Sequence, residues 1–453
     1  MSHIHNIYHL KNIGLALWQA LDLDRIPIEL TIKYNAKDNL PWEYLYHPSL
    51  GFIAKHTDYT LYRRIPATNN QIPTGPLKIL LFTIQQTTQR QIHLDIDIET
   101  QQIRSVLIPF INAGMVDFYA PIAGDFNTLA ELLSKQIWHL VIISGHGLLK
   151  NEQTYLVFSD TVGNTKLVTG NDLAKIFNKV RCVVLATCKS GQLVKNNLID
   201  PLIKIGIPNI IGMREALTDR AAKIFIQALC INLAQQKPVN LAVQAGRCAM
   251  TNLLSTNEIW DTIDDNIAEQ WSLPILFSSE PILINWNFKP QKTNLIPKTK
   301  IFIGRKQELQ TLTKKLCTGK IQRLLIRGIG GIGKTALAEQ LAVNLLQDGY
   351  QILTSDVKKL APNQIIILTS RHISLPNFYI YNLQRPNFYD FSRYIHYLGL
   401  SYEFPQILRI YQILGGNFKA VQLLQNLPIC LDVKGLNKQL TIVQRYLQAE
   451  LRK

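Results

Sequence analysis

The chain has 453 residues, too long for one ordinary core, so two or three domains are expected. Hydrophobic residues at 47% and charged residues at 18% exclude a disordered chain, and no apolar run approaches the roughly 20 residues of a membrane-spanning helix. The formal charge of +16 raises a nucleic-acid partner, but the basic residues are scattered, with short clusters only at Arg63-Arg64, Lys314-Lys315 and Lys358-Lys359, and no aromatic-interleaved stripe, so that reading is disfavoured.

In chain order, the opening MSHIHNIYHLKN lacks the charged-then-apolar pattern of a secretory signal, so a soluble cytoplasmic protein without membrane contact is expected. Residues 1–76 hold a helix near 10–21, a strand at 27–34 and the segment LPWEYLYHP. From residue 77, apolar strands are predicted at 78–84, 115–119, 138–144, 155–158, 181–187, 208–212 and 274–277. Helices are predicted between them at 96–111, 127–134, 171–178, 190–204, 217–235 and 240–254. Near-continuous apolar strands alternating with helices imply an α/β fold, a mostly parallel sheet covered on both faces. A polar, proline-containing stretch at 286–299 then separates a first domain, 1–285, from a second, 300–453. The second opens with IFIGRKQELQTLTKKL, whose apolar positions 309, 312 and 316 suit an amphipathic helix.

Six cysteines, at 182, 188, 230, 248, 317 and 430, form no CxxC pair, which argues against a disulfide framework or a zinc site. Most read as small core residues; Cys188 stands apart. It lies in ATCKSG just after the strand 181–187, and His146 lies in SGHG just after the strand 138–144. Both are thus expected at the carboxyl edge of a parallel sheet, where loops carry chemistry, within reach if the strands are neighbours about 5 Å apart. A thiol of pKa about 8.5 is a few per cent thiolate at neutral pH, and an adjacent imidazole accepts its proton or stabilises the anion. A helix starting near Ser190 would lower the thiol pKa further. Gly145, Gly147 and Gly191 let a peptide approach, and the N–H groups of Gly147 and Cys188 are candidate oxyanion donors. Around them, Asp160 and Asp219 are acidic and Arg214 a basic candidate for substrate selection, each weighed against an ordinary surface charge.

These residues resemble the CHAT domain, a caspase-like peptidase group related to caspases and separase. The resemblance spans roughly residues 10–285 and includes PWEYLY at 41–46, GIPNIIGMREALTDRAAKIF at 206–225, AVQAGRCA at 242–249 and WSLPILFSS at 271–279. Caspases also place their His upstream of the Cys, by about 50 residues; here the gap is somewhat shorter. Thr187 stands where many members have Ala or Asn. The resemblance implies a cysteine endopeptidase acting on protein or peptide substrates, with His146 and Cys188 catalytic and no cofactor needed by the dyad.

Residues 328–335, GIGGIGKT, match G-x-x-x-x-G-K-[ST] between the apolar strand LLIR and the apolar helix ALAEQLAVNLL. Backbone N–H groups around Gly328, Gly330, Gly331 and Gly333 would wrap phosphates, Lys334 would reach the β- and γ-phosphates, and Thr335 would hold Mg²⁺. The surroundings resemble NB-ARC or NACHT signalling NTPases: FIGRKQEL at 302–309, IIILTSR at 365–371 and ILGGNFKAVQLL at 413–424. That resemblance implies ADP or ATP binding with Mg²⁺, Arg371 as a γ-phosphate sensor, self-association or signalling partners, and a bacterial-type signalling or defence role. Phe418 departs from the usual Pro. Only about 28 residues separate Thr335 from Asn363, whereas one βαβ unit takes about 30 or more, so a Walker-B strand does not fit, and Asp356, the acid nearest the following strand, does not end an apolar run. A partial P-loop domain without efficient NTPase activity is expected, and the end at Lys453 leaves no room for a winged helix, as in a truncated gene product. The alternative to the peptidase is a non-catalytic scaffold that binds nucleotide only.

Overall fold

In the computed structural model the chain divides into two compact units, Met1–Asn294 and Leu295–Lys453. The structure describes residues 7–23, 25–35, 39–66, 71–84, 93–121, 124–159, 165–177, 179–251, 270–290, 302–347, 350–353, 359–428 and 432–451.

The first unit opens with α1 (Ile7–Leu21), β1 (Glu29–Lys33), the two-residue strands β2 (Tyr46–His47) and β3 (Gly51–Phe52), and β4 (Thr60–Arg64). Then follow β5 (Leu77–Thr83), α2 (His93–Asn112), β6 (Val116–Tyr119), α3 (Phe126–Lys135) and β7 (Leu140–Ser144). Next come β8 (Gly147–Lys150), β9 (Gln153–Ser159), β10 (Thr165–Val168), α4 (Gly170–Ile176) and β11 (Cys182–Ala186). The unit closes with α5 (Ile199–Lys204), β12 (Asn209–Met213), α6 (Asp219–Ala234), α7 (Val239–Thr251) and β13 (Pro274–Ser278).

Eight of these strands form one sheet in the order β1-β4-β13-β12-β11-β7-β5-β6. Every pairing in it is parallel except β12 with β13. Alternate side chains on the central strands serve the two faces. Leu81, Ile142 and Val184 pack with Ile103, Leu107, Phe225, Leu229 and Val243 of α2, α6 and α7. Phe82, Val141, Ile143, Val183 and Leu185 pack with Leu129, Leu133, Leu173 and Leu202 of α3, α4 and α5. The α/β fold with a mostly parallel, doubly covered sheet is therefore the one the apolar pattern implies.

Two local expectations are corrected. The segment 155–158 lies in β9, outside the main sheet, in an antiparallel sheet ordered β10-β9-β8. Asn151 and Glu152, both with positive φ, make the two-residue turn between Lys150 and its partner Gln153, and this turn sends the chain back on itself. The predicted helix 190–204 reduces to α5, because residues 190–191 bind the sheet instead of starting a helix. Asn197 Oδ1 accepts from the N–H groups of Ile199 and Asp200, at 2.8 and 2.7 Å, and starts the helix there.

The charges of this unit are organised around one carboxylate. Glu43, in the 3₁₀ turn Trp42–Tyr44, is fully buried. It pairs with Arg63 of β4, with Arg214 just after β12 at 3.2 Å, and with Arg247 of α7 at 3.7 Å. Arg63 also donates to Leu40 O at 2.9 Å, and Arg247 to Pro274 O at 2.8 Å and Leu61 O at 3.1 Å. Burial alone would raise the Glu43 pKa; the charges of Arg63 and Arg214, a hydrogen bond from Arg63 and the charge of Arg247 bring it down to about 2.

The second unit holds α8 (Lys306–Cys317), β14 (Arg323–Arg327), α9 (Lys334–Gln347), β15 (Gln351–Leu353), β16 (Gln364–Ser370) and β17 (Tyr379–Asn382). Four helices follow, α10 (Phe388–Tyr397), α11 (Phe404–Leu414), α12 (Phe418–Gln425) and α13 (Val433–Leu451). The strands form a parallel sheet in the order β15-β16-β14-β17. Leu309, Leu312 and Leu316 of α8 are buried as their spacing predicts. The four C-terminal helices enclose a separate core around Phe391, Ile410, Val421 and Leu440. The interval between α9 and β16 holds more than the helix alone: the three-residue strand β15 also fits. Asp356 and Cys430 lie outside the described residues. Among the described residues no helix is long and apolar enough to cross a membrane.

Glu43→Gln keeps the side-chain shape but leaves buried guanidinium groups without a counter-charge, so a loss of about 3–5 kcal/mol is expected in urea denaturation at neutral pH. Because the folded pKa is depressed, this contribution is present above the ordinary carboxylate value of 4.5 and fades as pH falls towards about 2. The gap between wild type and variant should close over that interval.

Candidate active site

The site is assembled by strand register. β7, β11 and β12 run parallel side by side, with Ser144 opposite Ala186 and Leu185 opposite Gly212. His146 and Cys188 each stand two residues beyond the Ser144–Ala186 pair, so they leave the sheet at the same level from adjacent strands. His146 is exposed and Cys188 half-buried. Among the described residues no hydrogen bond joins the two side chains; proton-transfer contacts of this kind commonly tighten only when the reacting complex forms.

The turn 187–191 carries the cysteine. Lys189 adopts a left-handed φ of 57°. The buried Ser190 hydroxyl donates to Leu185 O at 2.6 Å and accepts from Met213 N–H at 2.9 Å. Gly191 N–H donates to Met213 O at 2.8 Å, and a side chain at Gly191 would strike Met213 N at 3.0 Å. A methyl group at Gly147 would overlap the Cys188 carbonyl oxygen, so the histidine turn and the cysteine turn touch through backbone that only glycine permits.

The Cys188 thiol is raised above its ordinary pKa, which corrects the expectation of a helix-lowered thiol. Burial is the largest cause, and the charge of Glu215 adds to it. No helix begins behind the cysteine, since α5 starts at Ile199. In the opposite direction act the N–H groups of Cys188 and Gly147 and the charge of Lys189. The two amides named as oxyanion donors therefore both lie against the sulfur.

The charged candidates for substrate selection separate. Arg214 turns away to Glu43 and to the carbonyls of Asn39 and Leu40, at 3.1 and 3.2 Å, and is a structural charge. Asp219 is the first residue of α6, with its side chain outside what the structure describes, and Asp160 lies outside the described residues. Glu215, which sequence reading missed, lies beside the cysteine turn. Gln192 Nε2 donates to its Oε1 at 2.8 Å, and Lys189 Nζ stands 4.0 Å from its Oε2. Its sequence signal is its place two residues past β12, legible only once β12 is known to flank β11.

The sequence matches the CHAT domain over residues 11–291. The chain belongs to the CHAT family. Among solved structures it is similar to the Arg-specific cysteine proteinase gingipain R, at 9% identity and TM-score 0.39, over 60% of this chain and 67% of that one. It is also similar to the Saccharomyces cerevisiae separase–securin complex, at 13% identity and TM-score 0.31, over 52% of this chain and 14% of that one. Family membership rests on the sequence match, since superpositions at those scores add nothing to it. No curated protein matches the chain. Of the remaining described cysteines of the CHAT unit, Cys182 and Cys230 are buried, as expected of core residues, and Cys248 is half-buried; none is in a disulfide, and burial pushes each thiol up.

A second candidate site lies in the other unit. The loop after β14 passes through Gly328 and Gly330, and Gly331 and Gly333 take left-handed φ values of 81° and 94° before α9. Lys334 Nζ donates to Gly328 O and Ile329 O, both at 2.8 Å. Burial lowers its pKa, and the charge of the exposed Arg371 adds to this, so the two cations named from sequence do come near one another. Thr335 is exposed in the first turn of α9. Asn417 Nδ2 donates to Gly330 O at 2.9 Å, and Phe418, in the place of the expected Pro, donates its N–H to Gly331 O at 3.0 Å. Among the described residues no group of three or more His, Cys, Asp or Glu is arranged to hold a metal ion.

Because the raised thiol is protonated at neutral pH, alkylation of Cys188 by iodoacetamide should accelerate with pH through a midpoint above the ordinary thiol value of 9.0. Stopped-time labelling with mass spectrometry measures this; a midpoint below that value would show the turn amides and Lys189 outweighing burial. Gly147→Ala should displace the midpoint by moving the histidine turn off the cysteine turn.

Proposed function

We propose that the CHAT unit is a caspase-like cysteine endopeptidase acting on protein substrates, with Cys188 as nucleophile and His146 as the proton carrier. The observation that carries this reading is the shared level of the two side chains on adjacent parallel strands. Burial keeps the thiol neutral at rest, so the reaction needs a base at the moment of attack. His146 accepts the thiol proton as the sulfur forms a bond to the scissile carbonyl carbon, and the negative charge passes to the carbonyl oxygen. The Gly147 and Cys188 amides beside the sulfur stabilise that oxyanion. Its collapse breaks the C–N bond, and the imidazolium gives its proton to the departing amine. Water then attacks the thioester, His146 taking the water proton and returning it to the leaving thiolate, which releases the carboxylic acid.

In the second unit the reading is a phosphate site for ADP or ATP. It is supported by the left-handed glycines, by Lys334 and by Arg371 close to it. Gly328, Gly330, Gly331 and Gly333 would offer backbone to the phosphates, Lys334 and Arg371 would meet their charge, and Thr335 would hold Mg²⁺, which when bound neutralises phosphate charge. The stretches that follow β14, β16 and β17 up to the next element carry no Asp or Glu, so efficient hydrolysis is not part of the reading. Such a segment would couple the peptidase to a nucleotide signal in a bacterial-type signalling or defence system.

A screen of cell proteins for new N-termini tests the peptidase. Fragments should appear with the wild type and vanish with Cys188→Ala, and His146→Ala should slow their appearance by about 10²–10⁴-fold. Equal fragments from Cys188→Ala would sink the peptidase reading. A folded protein with no Cys188-dependent cleavage would favour the scaffold alternative. For the second unit, calorimetric titration of the full chain with MgADP should give binding that Lys334→Ala weakens at least about tenfold. Heat traces identical for both proteins would remove the nucleotide site.

A further inference from the structure

The register that aligns His146 with Cys188 extends one strand further. Leu185 pairs with Gly212, so Glu215 stands level with Cys188 on the strand flanking β11 on the side away from β7. Imidazole, thiol and carboxylate thus leave the same sheet edge from three successive strands, each about 4.8 Å from the next. Two strand spacings separate Glu215 from His146, so the carboxylate does not orient the imidazole. It lies on the opposite flank of the nucleophile.

Its surroundings hold it without neutralising it. Gln192 Nε2 bridges Glu215 Oε1 and Arg214 O, at 2.8 and 2.9 Å, which fixes the carboxylate relative to the end of β12. The adjacent cation, Arg214, is bound to Glu43. Among the described residues, Lys189 is the one cation that faces Oε2, at 4.0 Å, with both side chains more than two-fifths exposed. A solvated pair of that length contributes little and exchanges readily. The field of Glu215 also reaches the sulfur, where it opposes the thiolate. A substrate cation that neutralises Glu215 therefore makes the nucleophile easier to ionise as well.

The direction of the substrate follows from the proton path. His146 must protonate the departing amine, so the leaving half of the peptide lies towards β7. The acyl half, whose last side chain sits next to the carbonyl under attack, lies towards β12. We infer that Glu215 selects an Arg or Lys side chain on the acyl side of the scissile bond, the substrate cation replacing Lys189 Nζ at Oε2. This inference rests on the peptidase reading above. It assigns the acidic role to a residue other than Asp160 or Asp219, and it disfavours acidic side chains by like-charge repulsion.

Full-length protein and a peptide library varied at the residue before the cut test it. Cleavage after Arg or Lys should exceed cleavage after Leu or Asp by about 100-fold in kcat/KM. Glu215→Gln should raise KM for the basic substrates by about tenfold or more, the mark of lost substrate binding. Glu215→Lys should move the preference towards Asp or Glu, a reversal that a purely structural role would not give. A cooperative urea-unfolding transition in each variant shows that the unit is still folded. Cys188-dependent cleavage without preference for basic residues, or a preference untouched by both Glu215 variants, overturns the inference and leaves the peptidase standing. Folded protein with no Cys188-dependent cleavage on any peptide overturns both.

Discussion

One buried hydroxyl ties the candidate site together. Ser190 donates to Leu185 O and accepts from Met213 N–H, so the ends of β11 and β12 are joined through a side chain that begins the return of the chain. Beside it, Gly191 and Gly212 meet backbone to backbone, a contact that closes only where neither carries a side chain. With its hydroxyl committed to two strand ends, Ser190 cannot cap a helix, and the polypeptide leaves the sheet as a turn. That turn holds Cys188 at the edge with two amides against its sulfur, and it brings Lys189 over the neighbouring strand. Next to it the buried Thr187 hydroxyl has no hydrogen-bond partner among the described residues.

Electrostatics in the CHAT unit divides between an interior cluster and the open edge. Inside, a single carboxylate, Glu43, answers Arg63, Arg214 and Arg247, so part of the basic excess in the composition is consumed structurally. This division assigns Arg214 and Glu215, consecutive in sequence, to different tasks. The guanidinium points into the unit and the carboxylate stays at the rim. Replacing Glu43 would thus disturb more than stability, because Arg214 would lose the partner that turns it away from the rim.

What could be read from the sequence follows from how local each signal is. The strands that carry His146 and Cys188 are short runs of apolar residues such as LVIIS and CVVLA, and an edge position after such a run is visible without coordinates. Leu309, Leu312 and Leu316 likewise declare their face by spacing. The helix expected from Ser190 failed because SGQLVKNN has acceptable helix composition, while the deciding contacts come from Met213, far along the chain. Glu215 escaped for a related reason: its level beside Cys188 exists only through the β11–β12 pairing. The members of the charge cluster stand apart in sequence, in PWEYLY, in the Arg63-Arg64 pair, in GIPNIIGMREALTDRAAKIF and in AVQAGRCA, and nothing in one sequence says that these pieces meet. The short strand β15 shows the same limit on a smaller scale, since three residues of backbone pairing leave almost no pattern.

The Glu43 cluster also bears on the order in which a nascent chain organises itself. Arg63 lies 20 residues from Glu43, whereas Arg214 lies 171 residues away. The first contact can form early, with the carboxylate already half-committed, but the last two await segments synthesised much later. Contacts of such long sequence separation form late and slow the search for the native arrangement. The rim beside Cys188 is therefore set only after its own unit is nearly complete on the ribosome. A partly made chain carries the thiol just past its apolar strand but lacks the ordered edge on which its chemistry would depend.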